Sequence, residues 1–175
     1  MKHILERVYA ISLTPLDVDE ELTDKSVPGI RFVYGVQVQD ETRVIGPAVL
    51  NEGIDLRELR YAAVQNLGFT RASLDLSPVR HGFPLFTNHR GHSLAAALLL
   101  DDEFWGARVG DLGPLLACAT APSRIFYGPD TKEVREAIAT IIRAAPEMEG
   151  EDCLMTQILR RTVDGWKLAD EAPLN

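Results

Sequence analysis

Three histidines, His81, His89 and His92, lie close together in this chain of 175 residues. His89-x-x-His92 would place two imidazoles on one metal ion if the segment were helical. Gly91 lies between them and Ser93 follows as a helix N-cap, so helical geometry is not expected there. No Cys or carboxylate stands beside them to complete a ligand set. They read as turn or surface histidines, with no metal bound. Asp101, Asp102 and Glu103 form the other compact group. Three adjacent acids can serve as a general base or hold a divalent ion. At a helix start they also complement the helix dipole, and that structural role is the better reading. Arg124 is then expected to pair with one of these carboxylates. Ser123 has no Gly-x-Ser-x-Gly context and so no nucleophile-elbow signal. Its hydroxyl more simply closes the Pro122-Ser123-Arg124 turn. Walker and dinucleotide fingerprints are absent, and Gly128-Pro129-Asp130 reads as a turn before a helix. No catalytic residue and no cofactor is assigned.

Charge says more than motifs do. The chain carries 26 acidic and 18 basic side chains, a formal net charge of -8. Such a surface repels phosphate backbones, so nucleic acid is not expected as a partner. It favours a basic partner. The acids concentrate between Pro15 and Pro28, where Asp17, Asp19, Glu20, Glu21 and Asp24 are expected to form an exposed segment. These five residues are the candidate partner-binding surface, against the plainer reading of a solvated loop. The two cysteines, Cys118 and Cys153, lack the spacing of a metal site and make a poor disulfide framework. Cys118 reads as a small core residue. The N-terminal stretch is interrupted by Glu6 and Arg7, so no signal-peptide core is expected, and no apolar run is long enough to span a bilayer. A cytoplasmic location follows as an expectation.

The elements that must position these groups are organised around residues 91–129, the most apolar part of the chain. Ser93 to Leu100 reads as a buried helix capped by Ser93, which continues or restarts at Asp101-Asp102 and carries Phe104 and Trp105 inward. Gly110 and Gly113-Pro114 end it. Leu115 to Ala119 and Ser123 to Tyr127 read as strands joined at the proline turn. Upstream, residues 2–13 suit a short helix or a leading strand, ended by Pro15. Ile30 to Val38 alternates as a strand, residues 39–42 turn, and Arg43 to Leu50 returns with Gly46-Pro47 inside it. Ile54 to Leu67 reads as a helix with Asp55 and Glu58 as a capping box and Gly68 at its C-terminal cap. Leu74 and Leu76, followed by Pro78, suggest a short extended piece, and Phe83, Leu85 and Phe86 suggest a strand. Downstream, Asp130 or Thr131 caps a helix striped by Val134, Ile138, Ile141, Ile142 and Ala145, which Pro146 stops. Leu154 to Val163 and Trp166 to Leu168 form a last hairpin about Asp164-Gly165. Trp105 reads as core, and Trp166 as core or interface.

Several of these stretches resemble the YtpQ-like family of bacterial proteins of unknown function. Leu56-x-x-Leu59 with Ala62-Ala63 and Asn66-Leu67 is similar to a family helix. Ser93-x-Ala95 running into Leu98-Leu99-Leu100, an acidic pair and Trp105 is similar too. So are the strand, the Pro122-Ser123-Arg124 turn, the second strand and the late Asp164-Gly165-Trp166 turn. The family usually has Asp after Pro-Ser-Arg, where this chain has Ile125, so any role of that acid is absent here. The resemblance implies an α+β fold and no known activity.

Together these readings predict a single α+β domain over residues 1–175, a mostly antiparallel sheet with three to four helices packed on it. The expected function is a non-enzymatic, protein-binding module that neutralises a basic partner, as toxin-immunity proteins do. The competing expectation is an enzyme whose carboxylate or histidine site is assembled from distant segments. Oligomeric state is not legible.

Overall fold

The computed structural model describes residues 8–13, 23–38, 41–46, 53–73, 76–78, 86–88, 95–150 and 153–169. The fold is α+β, with two antiparallel sheets. The first sheet has the order β1-β2-β3, from β1 (Val8–Leu13), β2 (Arg31–Val38) and β3 (Glu41–Val44). Helix α1 (Leu56–Ser73) packs on β1. The second sheet has the order β4-β5-β7-β6-β8-β9. Its strands are β4 (Leu76–Pro78), β5 (Phe86–Asn88), β6 (Leu115–Ala121), β7 (Arg124–Pro129), β8 (Leu159–Thr162) and β9 (Gly165–Leu168). Helices α2 (Asp102–Leu112) and α3 (Lys132–Glu149) and a 3-10 helix over Ala95–Leu100 complete it.

Strand periodicity explains the layers. Successive strand residues face opposite sides. On β6, Leu116 and Cys118 join Phe126 of β7 against Val134, Ile138 and Ile142 of α3. Leu115, Ala117 and Ala119, with Ile125 and Tyr127, face the other way. There they meet the 3-10 helix, Trp105, Leu59 and Ala63 of α1, and Phe32 and Tyr34 of β2, in one larger core. Both faces of β6 are buried throughout, which is why its sequence is apolar apart from Thr120, whose hydroxyl donates to Glu149 Oε1 at 3.3 Å.

The 3-10 segment is wholly buried and has no polar side chain of its own. A helix end leaves carbonyls without partners, and burying them unmet is costly. Two indoles meet them. Trp105 Nε1 donates to the Leu98 carbonyl at 2.7 Å, and Trp166 Nε1 donates to the Leu99 carbonyl at 2.9 Å. The two rings sit edge to face, with centroids 5.1 Å apart. Trp166 is therefore a core residue, like Trp105.

Several boundaries differ from those expected. Helix α1 runs through Gly68 to Ser73. Its capping box is as expected: Glu58 N–H donates to Asp55 Oδ1 at 2.8 Å, and Asp55 N–H donates to Glu58 Oε2 at 3.1 Å. The apolar segment before Asp101 is a 3-10 helix, and Asp101 caps a separate α2 through the Phe104 N–H at 3.0 Å. Gly110 lies inside α2, and Gly113, at φ 75°, ends it. Pro146 sits inside α3, which continues to Glu149 until Gly150 closes it onto the Pro146 carbonyl. A proline removes one ladder bond; it does not prevent one more turn when packing and a glycine cap hold it. Strand β8 covers only Leu159–Thr162, and residues 41 and 42 belong to β3 rather than to a turn. No described helix is long and apolar enough to cross a membrane.

Candidate functional site

Of the expected partner surface, only Asp24 lies among the described residues. Asp24 is 2% exposed, so it is not part of an exposed acidic patch. Asp17, Asp19, Glu20 and Glu21 lie outside the described residues, as do His81, His89 and His92. Asp24 pairs with Phe32 of β2 through two backbone hydrogen bonds, which draws it against the sheet. Val27-Pro28-Gly29-Ile30 then turns the chain, with Pro28 at a favoured position and Gly29 at φ 77° where the turn requires a positive value.

Buried carboxylates need partners, and Asp24 has three. The Arg60 guanidinium grips both its oxygens, Nε to Oδ2 at 2.7 Å and Nη2 to Oδ1 at 2.9 Å. The Tyr34 hydroxyl donates a short hydrogen bond to Oδ2, and Ser26 N–H donates to Oδ1 at 2.9 Å. Burial alone would raise the Asp24 pKa, but Arg60, Tyr34 and Ser26 outweigh it and hold the carboxyl below its ordinary value. Burial and the neighbouring Asp24 charge push the Tyr34 phenol well above its ordinary value. The cluster ties together β2, α1 and the segment before Val27.

Arg60 also lines a polar cleft of about 230 Å³, with Ser26, Asp102, Arg161, Asp164 and Trp166. Arg161 is the unusual member. It lies on β8, where Leu159 and Arg161 face inward and Arg160 faces out. Its side chain is 7% exposed. Nη2 bonds Asp102 Oδ1 at 2.9 Å, and the guanidinium lies 5.6 Å from the Trp166 ring. Its Nε is buried with no hydrogen-bond partner among the described residues.

No family model, curated protein or solved structure matches this chain. The cleft and its surroundings must therefore be read from their own chemistry.

Beside the cleft runs the outward face of α2. Trp105 and Val109 are buried, and Asp102, Glu103, Gly106, Ala107, Gly110 and Asp111 are exposed. Among the described residues, a Cβ added at Gly106 or Gly110 would meet nothing within 4 Å, so packing among them does not require either glycine. Each costs an exposed helix about 1 kcal/mol relative to alanine. Acids flank the smooth patch, Asp102 and Glu103 at one end and Asp111 at the other.

The other candidates are structural. Arg124 pairs with Glu149 at 2.5 Å, not with the acids at 101–103, because β7 places it beside the last turn of α3. Asp130 holds Arg160 at 2.7 Å and Arg135 at 3.1 Å. Cys118 is enclosed under α3, and burial pushes its thiol up to about 12, which leaves it an unreactive thiol. Among the described residues, no three His, Cys, Asp or Glu side chains gather closely enough to hold a metal ion. Sequence reasoning passed over Arg60 and Arg161. The signal for Arg161 was present: an arginine at the inward register of a strand, two residues from the buried Leu159.

Proposed function

We propose that this chain is a non-enzymatic module that binds a basic protein, in the manner of an immunity protein holding a basic toxin. The observation that carries the reading is the outward face of α2. Two glycines there weaken the helix, and among the described residues no internal packing calls for them. A backbone without side chains permits close approach of another backbone. The acids at both ends of the patch suit a partner of opposite charge, in keeping with the net charge of -8.

The test is capture on the immobilised chain, compared with capture on Gly110→Gln. The side chain added there points into open space, so folding is retained. The intact chain should hold a basic protein in equimolar amount, and the variant should lose it. Equal capture by both would remove α2 from the binding surface and leave the proposal without its support.

A further inference from the structure

We propose that the cleft between Arg60 and Arg161 binds the carboxylate group of a small organic acid, with Arg161 as its anchor. The inference rests on the cleft and needs no protein partner, although Asp102 also borders the α2 surface.

The two arginines differ in how their side-on edges are used. Nε and Nη2 of a guanidinium form a parallel fork that matches the two oxygens of a carboxylate. Arg60 shows the complete arrangement, with both arms on Asp24. Arg161 shows half of it: Nη2 bonds Asp102 Oδ1, while the adjacent Nε is buried without a partner among the described residues. A buried donor left unmet is costly, more so when it is charged. Asp102 is a weak occupant of this edge, since its side chain is 79% exposed and makes a single contact. A carboxylate entering the cleft displaces it into solvent, takes both arms, and removes the unmet donor.

The surroundings select the ligand. The cavity, at about 230 Å³, lies below the range of drug-sized sites and suits an acid of a few carbons. Asp102 and Asp164 both line the cleft, so the local field resists a multiply charged anion. A monocarboxylate is favoured over phosphate for that reason and for its match to the fork. Ser26 and the Arg60 head group line the same cleft and can meet further oxygens of the ligand. Trp166 and Leu99 supply its apolar wall.

The experiment follows the arginine Nε–H resonances of the full chain by ¹H–¹⁵N NMR during titration with sodium acetate, at ionic strength held constant with sodium chloride. The Arg161 signal is assigned by its loss in Arg161→Lys. It should move saturably, with half-saturation on the order of millimolar. Asp102→Asn, a change at an exposed position, should lower the acetate concentration needed several-fold, since it removes the competing carboxylate. A signal that does not respond to acetate, or responds equally to chloride alone, overturns the proposal. Saturation by inorganic phosphate at the same or lower concentration overturns the assignment to a carboxylate. Should Arg161→Lys fail to fold, the Asp102→Asn comparison decides alone: unchanged or weaker response to acetate contradicts the displacement.

Discussion

Asp24 shows how a single side chain can change its meaning between sequence and structure. In the sequence it closes an acidic run and looks solvated. In the fold it is the hub of a buried cluster with Tyr34 and Arg60. Two consequences for pH follow with opposite signs. Asp24 has a folded pKa below its ordinary 3.8, so its contribution to stability is present above that value and is lost as pH falls through the lower folded value. Tyr34 has a folded pKa above its ordinary 10.0, so its contribution is present below pH 10.0 and is lost as pH rises beyond it. Melting temperature should therefore decline at both ends of the scale. Tyr34→Phe should lower stability at neutral pH by about 1–3 kcal/mol, because a buried carboxylate loses a donor. The same variant should show a smaller decline above pH 10 than the parent. An alkaline decline of equal size in both proteins would place its origin in another group.

The elements divide according to how local their determinants are. The capping box of α1, the stripe of α3 and the β6–β7 hairpin are written in adjacent residues, and they appear where the sequence puts them. The 3-10 helix is different. Its Ala-Leu composition suits an ordinary α-helix, and two tryptophans, one of them 67 residues away, bond its last carbonyls. The cluster at Asp24 depends likewise on Arg60, 36 residues further on. Neither pairing leaves a trace in local spacing, although an arginine at the inward register of β8 is a legible sign of the cleft. Two substitutions test the elements. Leu98→Asp places an unpaired charge at a fully buried position and should cost more than about 4 kcal/mol, leaving little soluble folded protein. A cooperative melt at the parent temperature would contradict its burial. Gly106→Ala and Gly110→Ala should each raise stability by about 1 kcal/mol in chemical denaturation. A loss of stability in either would mean that the fold itself requires the glycine.

At the scale of the molecule, ion pairs among the described residues tie separate elements together. Arg124 with Glu149 and Asp130 with Arg135 and Arg160 fasten α3 to the second sheet. Among the described residues, Glu103 and Asp111, at the two ends of the exposed face of α2, make no such tie, so their charge is available to a partner. Charges in that position chiefly accelerate encounter, and salt screens them over about 8 Å at physiological ionic strength. The most direct test is the association rate of the captured basic partner with the parent chain and with the double variant Glu103→Gln, Asp111→Asn, measured across a salt series. The proposed docking surface predicts slower association of the variant at low salt and converging rates as salt is added. Equal rates at every salt concentration would contradict it.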